Sequence, residues 1–287
     1  MSKTAWHALF YSPNEPRLRA GWRLAVQLAM LGFLLLFEIF AFALANTFFH
    51  WHISDTGLFI ISTLFELIAF TGSIALARHF LDHRPFLDLG IRPYEFFGLD
   101  IGSGLYFPLV IWALVFFVME RLGWLHIIGQ AATYDIGQIA LYFLIFIVVG
   151  FQEELLCRGY ILKVVISGTN TFWGMLISSA IFAALHLGNP GAGWMAMLGI
   201  FFAGMLLAFA AVRTGKLWLS IGLHIGWNFF EGVVFGFPTS GVAIYSLMHI
   251  HMTGPVLWTG GAFGPEAGLI ILPAITIGAG LVWLYTR

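Results

Sequence analysis

The sequence holds one cysteine, Cys157, in 287 residues. That excludes an internal disulfide and any metal site built on paired thiolates. Charge is also scarce: Asp, Glu, Lys and Arg make up 9% of the chain, where soluble proteins carry about 25%. The 13 basic and 14 acidic residues nearly cancel. This leaves no basic field for nucleic acid and no like-charge tail for a partner. No HExxH segment places two zinc ligands and a base on one helix, and no internal repeat points to a transporter built from inverted halves. Apolar and polar residues do not alternate over segments of about ten, as they would in a membrane barrel, so strands are not expected.

What the chain has is apolar surface: 60% of its residues are hydrophobic and 17% aromatic. Runs long enough to cross about 30 Å of hydrocarbon recur at 22–45, 57–79, 98–120, 138–166, 172–189, 194–212, 217–236 and 268–286. They predict an all-α, polytopic integral membrane protein with eight transmembrane helices, in one transmembrane domain over 1–287. The first run, from Leu24 to Ala45, exceeds the roughly 7–15 residues of a signal-peptide core and is read as a retained span despite the "ALA" at 43–45 that resembles a cleavage site.

Basic residues orient these spans, because cytoplasmic loops collect them. Lys3, Arg17, Arg19 and Arg23 precede the first span; Arg78, Arg84 and Arg92 follow the second; Arg158 and Lys163 end the fourth; Arg213 and Lys216 follow the sixth; Arg287 closes the eighth. Arg121 alone falls opposite, so eight spans with both termini cytoplasmic account for 12 of the 13. The charged, proline-bearing segment 77–95 reads as a cytoplasmic loop. Segment 237–268, rich in Gly and Pro and without Lys or Arg, reads as an external loop that partly dips back into the membrane.

Charges inside such spans are costly unless they face protein or water. In "FQEELLCRGY" (151–160), Glu154 and Arg158 are four apart and can pair on one helical face. Glu153 is rotated by about 100° and has Cys157 at the matching offset, which leaves it available for chemistry. "FAALH" puts Phe182 and His186 one turn apart, and "HIGWN" does the same for His224 and Asn228, with Glu231 further along that stripe. Gly222 and Gly226 would let another helix approach closely. Each feature has a plain structural reading: a histidine at a helix end packs, and a His/Asn pair glues helices. At about 1.5 Å per residue, however, Glu153 and His186 both lie roughly 20 Å from the basic end of their helices and His224 about 10 Å, so the three spans can converge. A carboxylate and histidine that activate water, opposite a histidine and amide that hold an oxyanion, would suffice to hydrolyse a peptide bond.

These motifs, EExxxR, FxxxH and HxxxN in that order over 138–236, resemble those of the CPBP family, the type II CAAX prenyl endopeptidases and their bacterial relatives. "TGGAFGPEAGL" before the last span is similar to bacterial members. The resemblance implies an intramembrane glutamic-type peptidase, needing no metal or cofactor, with eight helices around a polar cavity open to the cytoplasm. By the same resemblance Glu153 is the general base, His186 assists it, His224 and Asn228 form the oxyanion hole, and Glu154 and Arg158 hold the base in place. A membrane-anchored or peptide substrate and the lipid bilayer are the expected partners. Three alternatives stay open: a zinc peptidase ligated by Glu153, His186 and His224, a proton- or ion-coupled transporter, and a non-catalytic scaffold or immunity protein. Glu38 and Glu66, without a base at helical spacing, read as uncharged acids hydrogen-bonded between helices. His249 and His251 read as ordinary loop residues.

Overall fold

The computed structural model of the protein describes residues 9–12, 17–130 and 134–287; Lys3 lies outside them. Each of the eight apolar runs contains helix. They are α1 (Ala20–Phe49), α2 (Asp55–Ala77), α3 (Phe97–Arg121), α4 (Ile136–Glu154), which continues through a π-helical stretch (Leu155–Ile161) into α5 (Leu162–Gly168), α6 (Thr171–Leu185), α7 (Trp194–Thr214), α8 (Trp218–Asn228), which widens into a second π-helical stretch (Phe229–Val234), and α9 (Ile271–Tyr285). Polar side chains start several of them: Ser54 Oγ, Asp135 Oδ1 and Asn170 Oδ1 accept from the main-chain N–H groups of Gly57, Gln138 and Trp173, satisfying donors that the first helical turn leaves unpaired.

Five helical stretches are long and apolar enough to cross a membrane: 20–49, 55–82, 97–121, 136–168 and 194–214. Among the described residues, five of the eight expected spans thus have crossing length, and the count of eight is not confirmed. α6 and α9 have 15 residues each, about 22 Å of rise against about 30 Å of hydrocarbon. α6 stops at Leu185 because "GNPGAG" follows within two residues, and α8 keeps α-helical geometry for only 11 residues.

The expectation of no strands is corrected by a two-stranded antiparallel ribbon of β1 (Leu125–Gln130) and β2 (Met248–Met252), with an irregularity between Ile127 and Gly129. It ties the α3–α4 connection to the 237–268 segment. The alternation in "MHIHM" is its sequence signal. His249 and His251 are exposed on β2, and His251 pairs directly opposite His126, so they are strand residues rather than loop residues.

α8 sits at the centre of the bundle, with every residue from Leu219 to Asn228 buried. It presses against α3 at contact distance. A Cβ added to Gly104 would lie 2.7 Å from Leu219 O and Leu223 N, and one on Gly222 would lie 2.7 Å from Ile101 O. Gly226 meets the backbone of Leu105 at 3.0 Å. Because these neighbours are main-chain atoms, they cannot step aside. Gly222→Ala should therefore cost about 1–3 kcal/mol, the usual penalty for overpacking, and lower the thermal midpoint. Gly98→Ala, on the open side of α3 where nothing lies within 4 Å, should not lower it. Equal midpoints for the two variants would refute the close approach.

The ends of α1, α2 and α5 meet on one side of the bundle. There Arg23 of α1 binds Asp82, at the end of the π-helical turn Arg78–Asp82 that follows α2, and donates to Ser167 of α5 at 2.7 Å. Arg213 of α7 donates to Thr286, just past α9, at 2.9 Å. Arg158, counted above as a flanking charge, is not at a helix end; it is 0% exposed in the core.

Candidate active site

Two consecutive carboxylates end α4, and their 100° offset sends them into different surroundings. The Glu154 side chain is fully buried. Its Oε1 accepts from Arg158 NH1 at 2.8 Å and faces His224 Nδ1 at 3.1 Å, while its Oε2 accepts from the Ser220 hydroxyl. Arg158 NH2 donates to the Gly204 carbonyl at 2.9 Å, and the guanidinium lies 4.3 Å over the Phe182 ring. One ion pair thus joins α4, α7 and α8; both Glu154 oxygens and both terminal nitrogens of Arg158 are engaged, and only the Arg158 Nε–H is left without a partner.

Glu153 turns the other way. Its Oε2 is 3.8 Å from His224 Nε2 and 4.0 Å from His186 Nε2, and accepts no hydrogen bond from the protein. Both separations are too long for a direct hydrogen bond and within the span that a single water bridges. His186 is the residue that follows α6. Its Nδ1 lies 2.9 Å from the Phe182 carbonyl. A carbonyl only accepts, so Nδ1 carries the hydrogen, and in the neutral ring Nε2 keeps a lone pair directed toward Glu153. The same logic applied to Glu154 makes His224 Nδ1 a donor. Phe182 packs against both imidazoles, with centroids at 4.9 and 5.7 Å.

Asn228, one turn beyond His224, ends α8 and lines the same cavity as Glu153, His186 and His224. The cavity encloses about 250 Å³. Its walls are mainly apolar, not polar as expected, with a few ionisable groups set among them. Its lining comes from α1, α2, α4, α6, α7 and α8, and from Asn189, Ser240 and Glu266 in the connections between helices.

Several residues at the site were not singled out in the sequence. Ser220 stands one turn before His224, so Ser220, His224 and Asn228 recur every fourth residue on one stripe; that spacing was a readable signal. Glu266, within "TGGAFGPEAGL", accepts from Trp227 Nε1 at 2.9 Å and from Ser240 N and Oγ at 2.8 Å. No local pattern marked it. Glu66 also lines the cavity, and it accepts from Gln152 at 3.0 Å across the α2–α4 contact. One Glu38 oxygen and both Glu231 oxygens are buried without a hydrogen-bond partner. Among the described residues, no group of three or more His, Cys, Asp or Glu side chains is arranged to hold a metal ion.

Residues 135–230 match the family described as type II CAAX prenyl endopeptidase Rce1-like. The match spans all three motifs. No curated protein matches the chain.

Proposed function

We propose that the chain is a multi-pass intramembrane endopeptidase in which Glu153 and His186 activate water, acting on a membrane-anchored or peptide substrate from within a single membrane-embedded domain. The observation that carries this is the convergence of one unpaired carboxylate oxygen and two imidazole Nε2 atoms within 4.0 Å at the wall of a cavity. Behind them, a fully buried ion pair fixes the helix that supplies the carboxylate. The matched family supports the peptidase class.

In this reading a water sits between Glu153 and His186, donating one hydrogen to each. As its oxygen bonds to the scissile carbonyl carbon, Glu153 takes the proton and the carbonyl electron pair moves onto oxygen. Asn228 and His224 donate to that oxyanion. Since His224 Nδ1 already donates to Glu154, a hydrogen at Nε2 requires the imidazolium, which the Glu154 carboxylate is placed to stabilise. Glu153 then passes its proton to the leaving nitrogen, the C–N bond breaks, and carboxyl and amine products separate with the carboxylate restored. Glu154 and Arg158 position the catalytic groups without touching substrate.

Access by way of the bilayer suits the geometry. An apolar groove of about 590 Å³ between α1, α2 and the 242–245 segment shares Phe59, Ser62, Val242 and Ile244 with the catalytic cavity. The apolar part of a membrane-anchored substrate can lie there while its peptide reaches Glu153. Both termini then lie on the cytoplasmic side with the basic helix ends.

The test is a comparison of protein termini in membrane fractions of cells carrying the wild type or Glu153→Ala. New termini present only with the wild type, and still produced after an exhaustive chelator wash, are expected. Identical termini in both would remove the peptidase reading. Cuts lost to the chelator and restored by zinc would move it to a metallopeptidase.

A further inference from the structure

Away from the cavity, where α1, α2 and α5 meet, buried charge does not balance. The side chain of Asp82, 0% exposed, faces three guanidiniums: Arg23 at 2.5 Å, Arg78 at 3.2 Å and Arg17 at 3.6 Å. All three arginines are more than nine-tenths buried. The Lys163 ammonium, alongside, donates to the main-chain carbonyl of Asp88 at 3.0 Å; the Asp88 carboxylate itself is engaged by Arg92 at 2.9 Å. Leaving aside Arg17, which makes further interactions, the one Asp82 carboxylate set against the buried guanidiniums of Arg23 and Arg78 and the Lys163 ammonium leaves a surplus of positive charge among the described residues, in a place where burial makes surplus costly.

The hydrogen-bonding groups tell the same story. The Nε–H groups of Arg23 and Arg78 and the hydroxyl of Tyr160 are buried and have no hydrogen-bond partner. Tyr160 is 0% exposed. Arg23, Arg78, Tyr160, Lys163 and Ser167 line a cavity of about 90 Å³. Buried donors are costly when unpaired, and here they share a small space with a net positive charge. The chemistry that answers both is a compact anion with several acceptor oxygens, the group for which guanidinium forks are best suited.

We propose that this pocket binds a phosphate group, carried by an anionic phospholipid or present as free phosphate. The Asp82 carboxylate does not compete for that group, because its oxygens are engaged in holding the guanidiniums. The pocket stands at the ends of three apolar helices, at the depth where headgroups lie, and on the side of the bundle that collects basic residues. A bound phosphate would clamp Arg23 of α1 and Arg78 at the end of α2 to Tyr160, on the π-helical stretch after α4. This assignment is independent of the peptidase reading.

The test uses the full-length protein in neutral detergent, titrated separately with inorganic phosphate, phosphatidylglycerol and phosphatidylcholine while the thermal midpoint is followed. A saturable rise with phosphatidylglycerol, larger than any rise with phosphatidylcholine, is expected. An equal rise with inorganic phosphate assigns the free ion; a rise with phosphatidylglycerol alone assigns the lipid headgroup. Tyr160→Phe, which removes only an unpartnered hydroxyl and should fold, and Lys163→Gln should each weaken the apparent affinity about tenfold, as the loss of one hydrogen bond to a charged group does. Equal responses to the two lipids, no saturable response to any ligand, or unchanged affinity in both variants would overturn the proposal.

Discussion

Glu153→Gln should reduce turnover by about 10³-fold or more while leaving the thermal midpoint within a degree or two of the wild type. A positioned general base contributes roughly 10²–10⁴-fold, and here the same carboxylate also holds the attacking water, so the loss falls toward the upper part of that range. The stability half of the expectation is the more diagnostic. Oε2 of Glu153 receives no hydrogen bond from the protein and is 3.8 Å from its nearest imidazole nitrogen, so the amide breaks no existing bond. It gives up attraction to the His224 ring at 3.8 Å and relieves repulsion from Glu66, so the net change stays near the ordinary ±0.5 kcal/mol of a substitution that breaks no packed or hydrogen-bonded contact. The measurement is the rate of cleavage of a peptide identified from the membrane comparison, alongside unfolding in detergent. Turnover above about a tenth of wild type would exclude Glu153 as the base. Unchanged cleavage coupled to a lost proton or ion flux would favour the transport reading.

The parts of this arrangement that could be read from the sequence are those carried by helical spacing. Glu154 and Arg158 at four residues form a pair at 2.8 Å. Gly222 and Gly226 meet the α3 backbone as their size allows, although their partner Gly104 could not be named in advance because nothing local says which helix crosses α8. Spacing also separated the surroundings of the two carboxylates: the pair that closes on Glu154 leaves Glu153 facing the cavity. What the sequence withheld depends on tertiary contact. Glu266 reaches Trp227 only because the chain between 237 and 268 folds back onto the bundle. Arg158 looked like a flanking charge because hydropathy cannot tell a helix end from a π-helical stretch inside the core. Only five of the eight expected spans reach crossing length among the described residues for a related reason: apolar runs fix where helix forms, but not where glycine and proline cut it short, as at Leu185. Asp82 was part of a charged loop by composition; that Arg17 and Arg23, from before the first span, would join Arg78 in burying themselves against it required the fold.

Arg158→Met should be the most destabilising single change near the site, at about 3–5 kcal/mol, because it strands the fully buried Glu154 carboxylate without its cation. Methionine fills most of the volume beside Phe182, so a cavity does not account for the loss. The double variant Glu154→Gln with Arg158→Met separates charge from packing. Removing both charges together leaves a neutral amide that can still bond Ser220 and His224, and buried ion pairs replaced as a unit are often close to neutral in stability. More than half of the lost stability should return. Recovery should stop short of complete, because the Gly204 carbonyl loses its donor in both variants at about 1–3 kcal/mol. Activity should not return with stability. Gln cannot stabilise the His224 imidazolium as the carboxylate does, so the hydrogen that Nε2 offers to the oxyanion is lost, at about 10²–10³-fold in turnover for one such donor. Unfolding midpoints and kcat measured on both variants distinguish the two contributions. If the double variant were as unstable as the single one, the guanidinium's contacts with Phe182 and Gly204, rather than its charge, would be what holds α4 to α7. If it regained activity together with stability, Glu154 would be a structural acid, and the oxyanion donor would have to be Asn228 alone.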